Sequence, residues 1–472
     1  MKLKKKNYYT FNKNNKKFLM DIYKMKFAEI TEDEYIIFNE QRFENCNEHL
    51  TEKILKLNEL DLFFSDDTPT EFIDTKTREL SFSLPSVHSC NLNCKYCFAN
   101  AGENFQEKDK SFSKEMVEKC LKFLVNNSKL REYEKYRLDF VSGGEPLLDK
   151  KSLYEIIDLA KHTFESEEKD LFIWLCTNAT LVKEKDLEEF SKKGIRVGIS
   201  LDGDKEGNDY CRTYKNGLGT YEDILKTIEM IKESKNISKY LKELWGLSVL
   251  TKKNQDLIKI CNHMIELGFT TLQMRLVRTQ DEELVFSEKC SEVLFKNIEE
   301  FIEYLFKNAI DNYLDPLQLI LNDNDYIGKI IRRIILESPY VRRCKAGLNK
   351  FSFAANGDIY PCDAFVGNEE FKLGNIDTGF NEERLKKFED LSVFSREKCS
   401  LCWARFICGG DCYHNGLLVN DNISIPDSNF CEMVYHIITT SVYWINELMI
   451  NNEDAYLMIR KIISMRSNLH SN

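Results

Sequence analysis

The stretch Cys90-Asn91-Leu92-Asn93-Cys94-Lys95-Tyr96-Cys97 decides the reading of this chain, because it follows closely on an apolar run at 81–87. Cysteines separated by three and then two residues put three thiols on one short loop. Three thiolates can ligate three irons of a 4Fe–4S cluster. No fourth Cys is near, which leaves one iron open to a small chelating ligand. Structural zinc sites take four protein ligands, so zinc fits this loop less well.

Outward from that loop the chain alternates apolar runs with amphipathic periods. Strands are expected at 81–87, 136–141, 171–176, 195–201, 244–250 and 271–276, and helices at 113–127, 152–165, 183–192, 220–234, 254–267 and 284–308. Repeated strand–helix units of this kind imply parallel strands covered by helices, an α/β fold read here as a partial (β/α)6 barrel over 81–310. Ligands in such barrels lie at the C-terminal strand ends, and polar residues follow each expected strand. The second runs into Val141-Ser142-Gly143-Gly144-Glu145-Pro146, the third ends at Thr177-Asn178, and the fourth ends at Ser200-Leu201-Asp202-Gly203. Glycines let backbone approach a ligand closely. Arg212, in Asp209-Tyr210-Cys211-Arg212, offers a guanidinium suited to a carboxylate.

The net charge of −11 argues against general binding to nucleic acid or anionic membranes. The Lys-rich start lacks an apolar signal segment, and no apolar run approaches the roughly 18 residues of a membrane span. A cytoplasmic protein is therefore expected. Sixteen cysteines in a reducing compartment point to metal rather than disulfides, since ten of them fall in two groups. Cys46, Cys120, Cys176, Cys211, Cys261 and Cys290 are scattered singly and read as buried small hydrophobes. Residues 1–80 read as three short strands followed by helices at 31–42 and 51–62, a winged-helix-like unit. Residues 311–343 read as a helical linker, 344–431 as a cysteine-rich domain and 432–472 as a C-terminal helix.

The run Cys90, Cys94, Tyr96, Cys97 is similar to the signature of the radical S-adenosylmethionine superfamily, with an aromatic residue just before the third Cys. The resemblance implies S-adenosylmethionine chelated to the open iron. The Gly143-Gly144-Glu145 turn would hold its methionine amine, Ser200 and Asp202 the ribose hydroxyls with Asn178 close by, and Arg212 the carboxylate. One-electron cleavage of the sulfonium would then give a 5′-deoxyadenosyl radical, with a ferredoxin or flavodoxin as electron donor.

Further on, Cys344 is followed by twelve residues, Gly357, four residues and Cys362. Then come Cys399, Cys402, Cys408, Cys412 and, after eighteen residues, Cys431. This pattern resembles the SPASM extension of radical enzymes that modify peptides and proteins. The resemblance implies two auxiliary 4Fe–4S clusters, three clusters in all: one on Cys399, Cys402, Cys408 and Cys431, the other on Cys344, Cys362 and Cys412. No Cys stands between 345 and 361, so the latter cluster is expected to have three Cys ligands. Its fourth iron would be open, or held by Asp363 or His414. An open iron is a docking point for a substrate thiolate. The segment from Gly357 to Ile376 resembles maturases that join a peptide Cys sulfur to a carbon of another residue. They act on a Cys-containing precursor whose leader binds a winged-helix unit, here residues 1–80. Tyr360-Pro361-Cys362-Asp363 also resembles anaerobic sulfatase-maturing enzymes, which would make Asp363 a catalytic base in formylglycine formation. Carbon–carbon crosslinking and epimerisation stay open as other activities of the extension. A zinc-binding interaction protein is the non-enzymatic reading.

Overall fold

The computed structural model describes residues 3–66, 79–97, 111–141, 143–286 and 288–469. Ser142 lies outside the described residues, as does the side chain of Cys290. The chain forms two compact units. One comprises Met1–Thr75, Ser287–Cys344 and Ser392–Asn472, and the other Lys76–Phe286 and Lys345–Leu391. The segment 344–431, read above as one domain, is thus shared between them.

The first unit begins with strands β1 (Tyr8–Lys13), β2 (Lys16–Asp21) and β3 (Phe27–Ile30), an antiparallel sheet in that order. Helices follow over Glu32–Glu40 and Glu48–Glu59. Thr31 and Glu34 form a capping box at the start of the first, and Asn47 caps the second. Tyr8, Leu19, Ile30, Phe38, Leu50, Ile54, Phe63 and Phe64 close over one another as a core. Buried Asp21 accepts from the Asn7 amide and from the N–H groups of Tyr23, Lys24 and Phe63, so its charge has partners on both chain ends of the sheet. The same unit holds long helices over Glu288–Ile310 and Ser428–Asn451. They meet where Phe295 stacks on His436 (4.6 Å) and Glu299 bonds His436 (2.5 Å). The N-terminal sheet is fixed to the second of them by Lys16–Glu447 (2.5 Å) and by Asn446 donating to Glu29 (2.7 Å).

The expected single C-terminal helix is two helices, Ser428–Asn451 and Glu453–Leu469. Asn452 breaks it, with backbone outside the helical region (φ −154°, ψ 67°) and a side chain that accepts from the N–H of Ala455. Asn competes for backbone hydrogen bonds and so favours an end over a helix interior.

The second unit is built on one ten-stranded sheet. Its parallel strands are β4 (Glu79–Ser83), β5 (Lys135–Phe140), β6 (Asp170–Thr177), β7 (Ile195–Ser200), β8 (Leu244–Leu250) and β9 (Phe269–Leu276), in sequence order. Helices over Lys114–Asn126, Lys150–Ser166, Glu184–Lys193, Tyr221–Glu233 and Leu257–Glu266 connect them. Ser113, Asp149 and Asp256 cap three of these, and Gly194 ends one in left-handed backbone (φ 68°). Phe164, fully buried, packs against Tyr136 (4.5 Å) and Phe82 (5.7 Å), seating its helix on the sheet. Burying such a ring is worth about 2 kcal/mol. The edge beside β4 is extended by β10 (Lys350–Phe353), which runs parallel to β4. Three short antiparallel strands follow: β11 (Asp358–Tyr360), β12 (Gly374–Asn375) and β13 (Gly379–Phe380). Among the described residues no helix is long and apolar enough to cross a membrane.

Candidate active site

The cysteine loop leaves the end of β4 and is tied down by backbone bonds. Leu92 bridges Tyr214, the Asn93 N–H donates to the Thr213 carbonyl (2.8 Å), and the Lys95 N–H donates to the Cys211 carbonyl (3.0 Å). The Lys95 ammonium lies 3.8 Å over the Tyr210 ring. This ladder carries Arg212 to the cysteines. Its Nη1 donates to the Tyr96 hydroxyl (2.8 Å), which in turn donates to Asp202 Oδ2 (2.5 Å). Asp202 Oδ1 accepts from the Val249 N–H, so the carboxylate is braced from β8 as well.

The turn after β5 presses on the same loop. A Cβ on Gly144 would lie 2.2 Å from the Ser89 carbonyl oxygen, a contact only glycine escapes, and Gly143 has φ 99°. The Glu145 N–H donates to that Ser89 carbonyl (2.8 Å). Its carboxylate accepts from Thr177 Oγ1 (2.7 Å), the Asn178 N–H (2.7 Å) and the Leu147 N–H (3.2 Å). Both Glu145 oxygens therefore serve protein donors and tie the ends of β5 and β6 together. Asn178 Nδ2 donates to Asn91 Oδ1 (2.9 Å) and lies 3.8 Å from Cys90 Sγ. Ser200 Oγ lies 3.5 Å from Cys176 Sγ at the end of β7.

Glu145 and Asp202 are 2% and 1% exposed. Burial pushes both carboxyls up, opposed for Glu145 by the Asn178 and Thr177 donors and for Asp202 by Arg212. Burial works against the Arg212 charge, but Tyr96, Cys94 and Asp202 outweigh it and hold the guanidinium above its ordinary value. Burial raises Cys94 to about 11, with Arg212 the main opposing charge. Three soft sulfur donors on one loop are of the kind that iron accepts, and binding it would have to displace the Cys94 proton. The site offers three soft ligands on one loop, flanked by a buried cation and a buried acceptor at the strand ends.

In the first unit, Cys399 (helix Glu397–Ser400), Cys402, Cys408 (end of helix Arg405–Cys408) and Cys431 (first turn of Ser428–Asn451) line one cavity of about 310 Å³. Arg396, 1% exposed, pins the surrounding loops by donating to the carbonyls of Asp411 (2.9 Å) and Ser424 (3.0 Å). Gly409, at φ 72°, accepts from the Arg343 N–H (2.7 Å), and a side chain there would strike Tyr340. Burial raises Cys408 to about 11 and Cys431 further, so a metal cluster held here would have to displace their protons.

The remaining predicted ligands are divided. Cys344 and Cys412 belong to the first unit, where Cys412 precedes the helix Tyr413–Asn420 that carries His414 in its first turn. Cys362 belongs to the second unit, two residues after the end of β11. Asp363 follows it: Oδ1 accepts from Ser352 Oγ (2.7 Å) and Oδ2 lies 3.4 Å from Lys350 Nζ, both on β10. Sequence reasoning did not single out Lys350 or Ser352. The polar–apolar alternation Lys350-Phe351-Ser352-Phe353 was the available signal for a strand with one polar face. It also gave Tyr96 no role as the link between Asp202 and Arg212.

A fold of parallel strands with three cysteines after the first of them defines a class, and comparison with known proteins gives the same class. The radical SAM superfamily model matches residues 84–253. An uncharacterized protein of Methanocaldococcus jannaschii is 30% identical over 317 residues, 66% of this chain and 94% of that one. A cysteine-type anaerobic sulfatase-maturating enzyme of Clostridium novyi is 27% identical over 368 residues, 74% of this chain and 91% of that one. Among solved structures, native anSMEcpe with bound AdoMet matches with a TM-score of 0.62 at 22% identity, covering 78% of this chain and 98% of that one. The same protein with bound AdoMet and Kp18Cys peptide matches equally, at 21% identity. The chain is an enzyme of the radical SAM superfamily, related to the anaerobic sulfatase-maturating enzymes.

Proposed function

We propose that the chain is a radical S-adenosylmethionine maturase that joins a Cys sulfur to a carbon within a ribosomally made precursor peptide. When bound, the primary cluster and S-adenosylmethionine supply a one-electron cleavage whose organic radical takes hydrogen from an unactivated carbon. Cys90, Cys94 and Cys97 would hold that cluster. Arg212 would bind the methionine carboxylate and Asp202 the ribose, with Asn178 and Ser200 beside them and the backbone of Gly143 and Gly144 meeting the amine. Glu145 keeps the turn in place through Thr177 and Asn178. Burial of these groups excludes water and stray hydrogen donors from the radical.

The observation that carries the thioether reading is the three-cysteine set Cys344, Cys362 and Cys412, with no further Cys from 345 to 361. By their sequence pattern, Cys344, Cys362 and Cys412 would hold an auxiliary cluster, which would supply a soft site for a substrate thiolate and an acceptor for the electron left by bond formation. Cys399, Cys402, Cys408 and Cys431 would hold the other auxiliary cluster. β3 lies at the edge of the N-terminal sheet, and a leader peptide could add to it as a further strand.

A second reading has its own observation. Asp363, held by Ser352 and Lys350 next to Cys362, would act as the base of a formylglycine-forming reaction. Relatives named for that activity are 22–27% identical. Tandem mass spectrometry of a Cys-containing precursor treated with reconstituted enzyme, S-adenosylmethionine and reductant separates the two. Thioether formation removes two hydrogens, keeps the sulfur and leaves that Cys resistant to alkylation. Formylglycine formation from Cys releases the sulfur as sulfide, and that outcome would sink the thioether reading.

A further inference from the structure

The cavity lined by Cys399, Cys402, Cys408 and Cys431 has one polar side chain aimed at a ligand sulfur. Tyr435 stands one helical turn beyond Cys431 on the helix Ser428–Asn451, so both project on the same face. Its hydroxyl lies 3.3 Å from Cys402 Sγ. A thiolate has no proton to give, so once Cys402 ligates a metal the hydroxyl is the donor. The residue after Cys402, Trp403, stacks on the Tyr435 ring (5.3 Å, 30°) and on the Tyr9 ring (4.3 Å, 2°). Tyr9 belongs to β1 and is 37% exposed, so an aromatic stack runs from the surface of the N-terminal sheet to a cluster ligand within one compact unit.

We infer that Tyr435 is a positioning residue for the second auxiliary cluster: its hydroxyl donates to the Cys402 thiolate and raises the cluster's reduction potential, and the Tyr9–Trp403 stack holds it there. The inference rests on the reading that these four cysteines carry a cluster. The physical ground is that reduction adds negative charge to the cluster and its sulfurs, and a donor to sulfur stabilises the more negative state. Hydrogen bonds to charged acceptors are stronger than neutral ones, and this one is partly buried. The stack makes the effect conditional. Trp403 is covalently next to the ligand and in contact with both tyrosines, so a disturbance at Tyr9 reaches the donor through a single ring.

The test is an EPR-monitored redox titration of the full-length, anaerobically reconstituted protein, with the primary cluster as internal reference. Tyr435→Phe keeps the ring and removes the donor. It is expected to lower the second auxiliary cluster's potential by about tenfold in the reduced-to-oxidised ratio, about 59 mV for one electron. The primary cluster's potential should stay where it is. Tyr9→Ala, at an exposed position, should shift the potential in the same direction by less. The double variant should match Tyr435→Phe alone, because the two act through one hydroxyl. A wild-type potential in Tyr435→Phe with the cluster present overturns the role of Tyr435. Full additivity in the double variant overturns the role of the stack. Wild-type protein lacking the iron and EPR signal of this cluster overturns the reading of the four cysteines, and the inference with it.

Discussion

Two groups of cysteines in this chain are built on opposite plans. The loop from Cys90 to Cys97 brings three thiols on eight consecutive residues, and its other partners come from distant strand ends: Asp202 after β7, Glu145 after β5, and Arg212 from the segment that ladders with the loop. The group of Cys399, Cys402, Cys408 and Cys431 brings four thiols around one cavity, with aromatic Tyr435 and Trp403 beside them and the loops locked by buried Arg396. In the proposed reading, three thiols beside a buried carboxylate and guanidinium would hold a metal and a polar ligand together, and four thiols backed by rings would hold a metal cluster alone. That reading gives chemistry to the first site and electron handling to the second, and each part of it can be broken separately.

The largest expected effect is at the first site. Cys94→Ala should abolish formation of 5′-deoxyadenosine while leaving the iron held by the C-terminal cysteines, as read by product chromatography and iron analysis. Continued cleavage in this variant would end the assignment of the loop. Cys431→Ala should do the reverse, losing the second auxiliary cluster's iron and EPR signal but still cleaving S-adenosylmethionine. Loss of cleavage with the primary cluster intact would show that the two sites are not separable in this way.

A smaller effect is expected for Arg212→Lys. A lysine keeps the charge but cannot reproduce the forked geometry that reaches Tyr96 and a carboxylate together. The affinity for S-adenosylmethionine should fall about ten- to hundredfold, the worth of a charged hydrogen bond of about 1.5–3 kcal/mol. Equilibrium binding checks this, and unchanged affinity would remove Arg212 from the cofactor site. The smallest concerns stability. Gly144→Ala places a methyl group against the Ser89 carbonyl and should cost about 1–3 kcal/mol in chemical denaturation. A neutral result would mean that the turn after β5 is not pressed on the cysteine loop as described.

The same contrast explains what the sequence could reveal. The six parallel strands β4–β9 announce themselves because apolar runs alternate with capped amphipathic helices, and each element is long enough to carry a period. β11 to β13 do not, because strands of two or three residues among Gly, Asn and Asp hold too few positions to show alternation, and β10 shows its alternation over only four. The break at Asn452 was missed for a related reason: the apolar pattern continues on both sides, and the single Asn that caps the next helix is the whole signal. Thiol spacing is legible because it is local. The bridge from Asp202 through Tyr96 to Arg212 is not, since nothing in the spacing of those residues places them in contact; the ladder between 92–95 and 211–214 does that. Tyr435 stood in plain view one turn after Cys431, but an aromatic at that position reads equally as helix packing until Cys402 is placed beside it.

One measurement tests the central claim most directly. Anaerobically reconstituted full-length protein is given S-adenosylmethionine, a strong reductant and a Cys-containing peptide, and 5′-deoxyadenosine is quantified alongside bound iron and zinc. The account predicts an iron-loaded protein that forms 5′-deoxyadenosine only when reduced. A zinc-loaded protein, or an iron-loaded one that forms none, would contradict it.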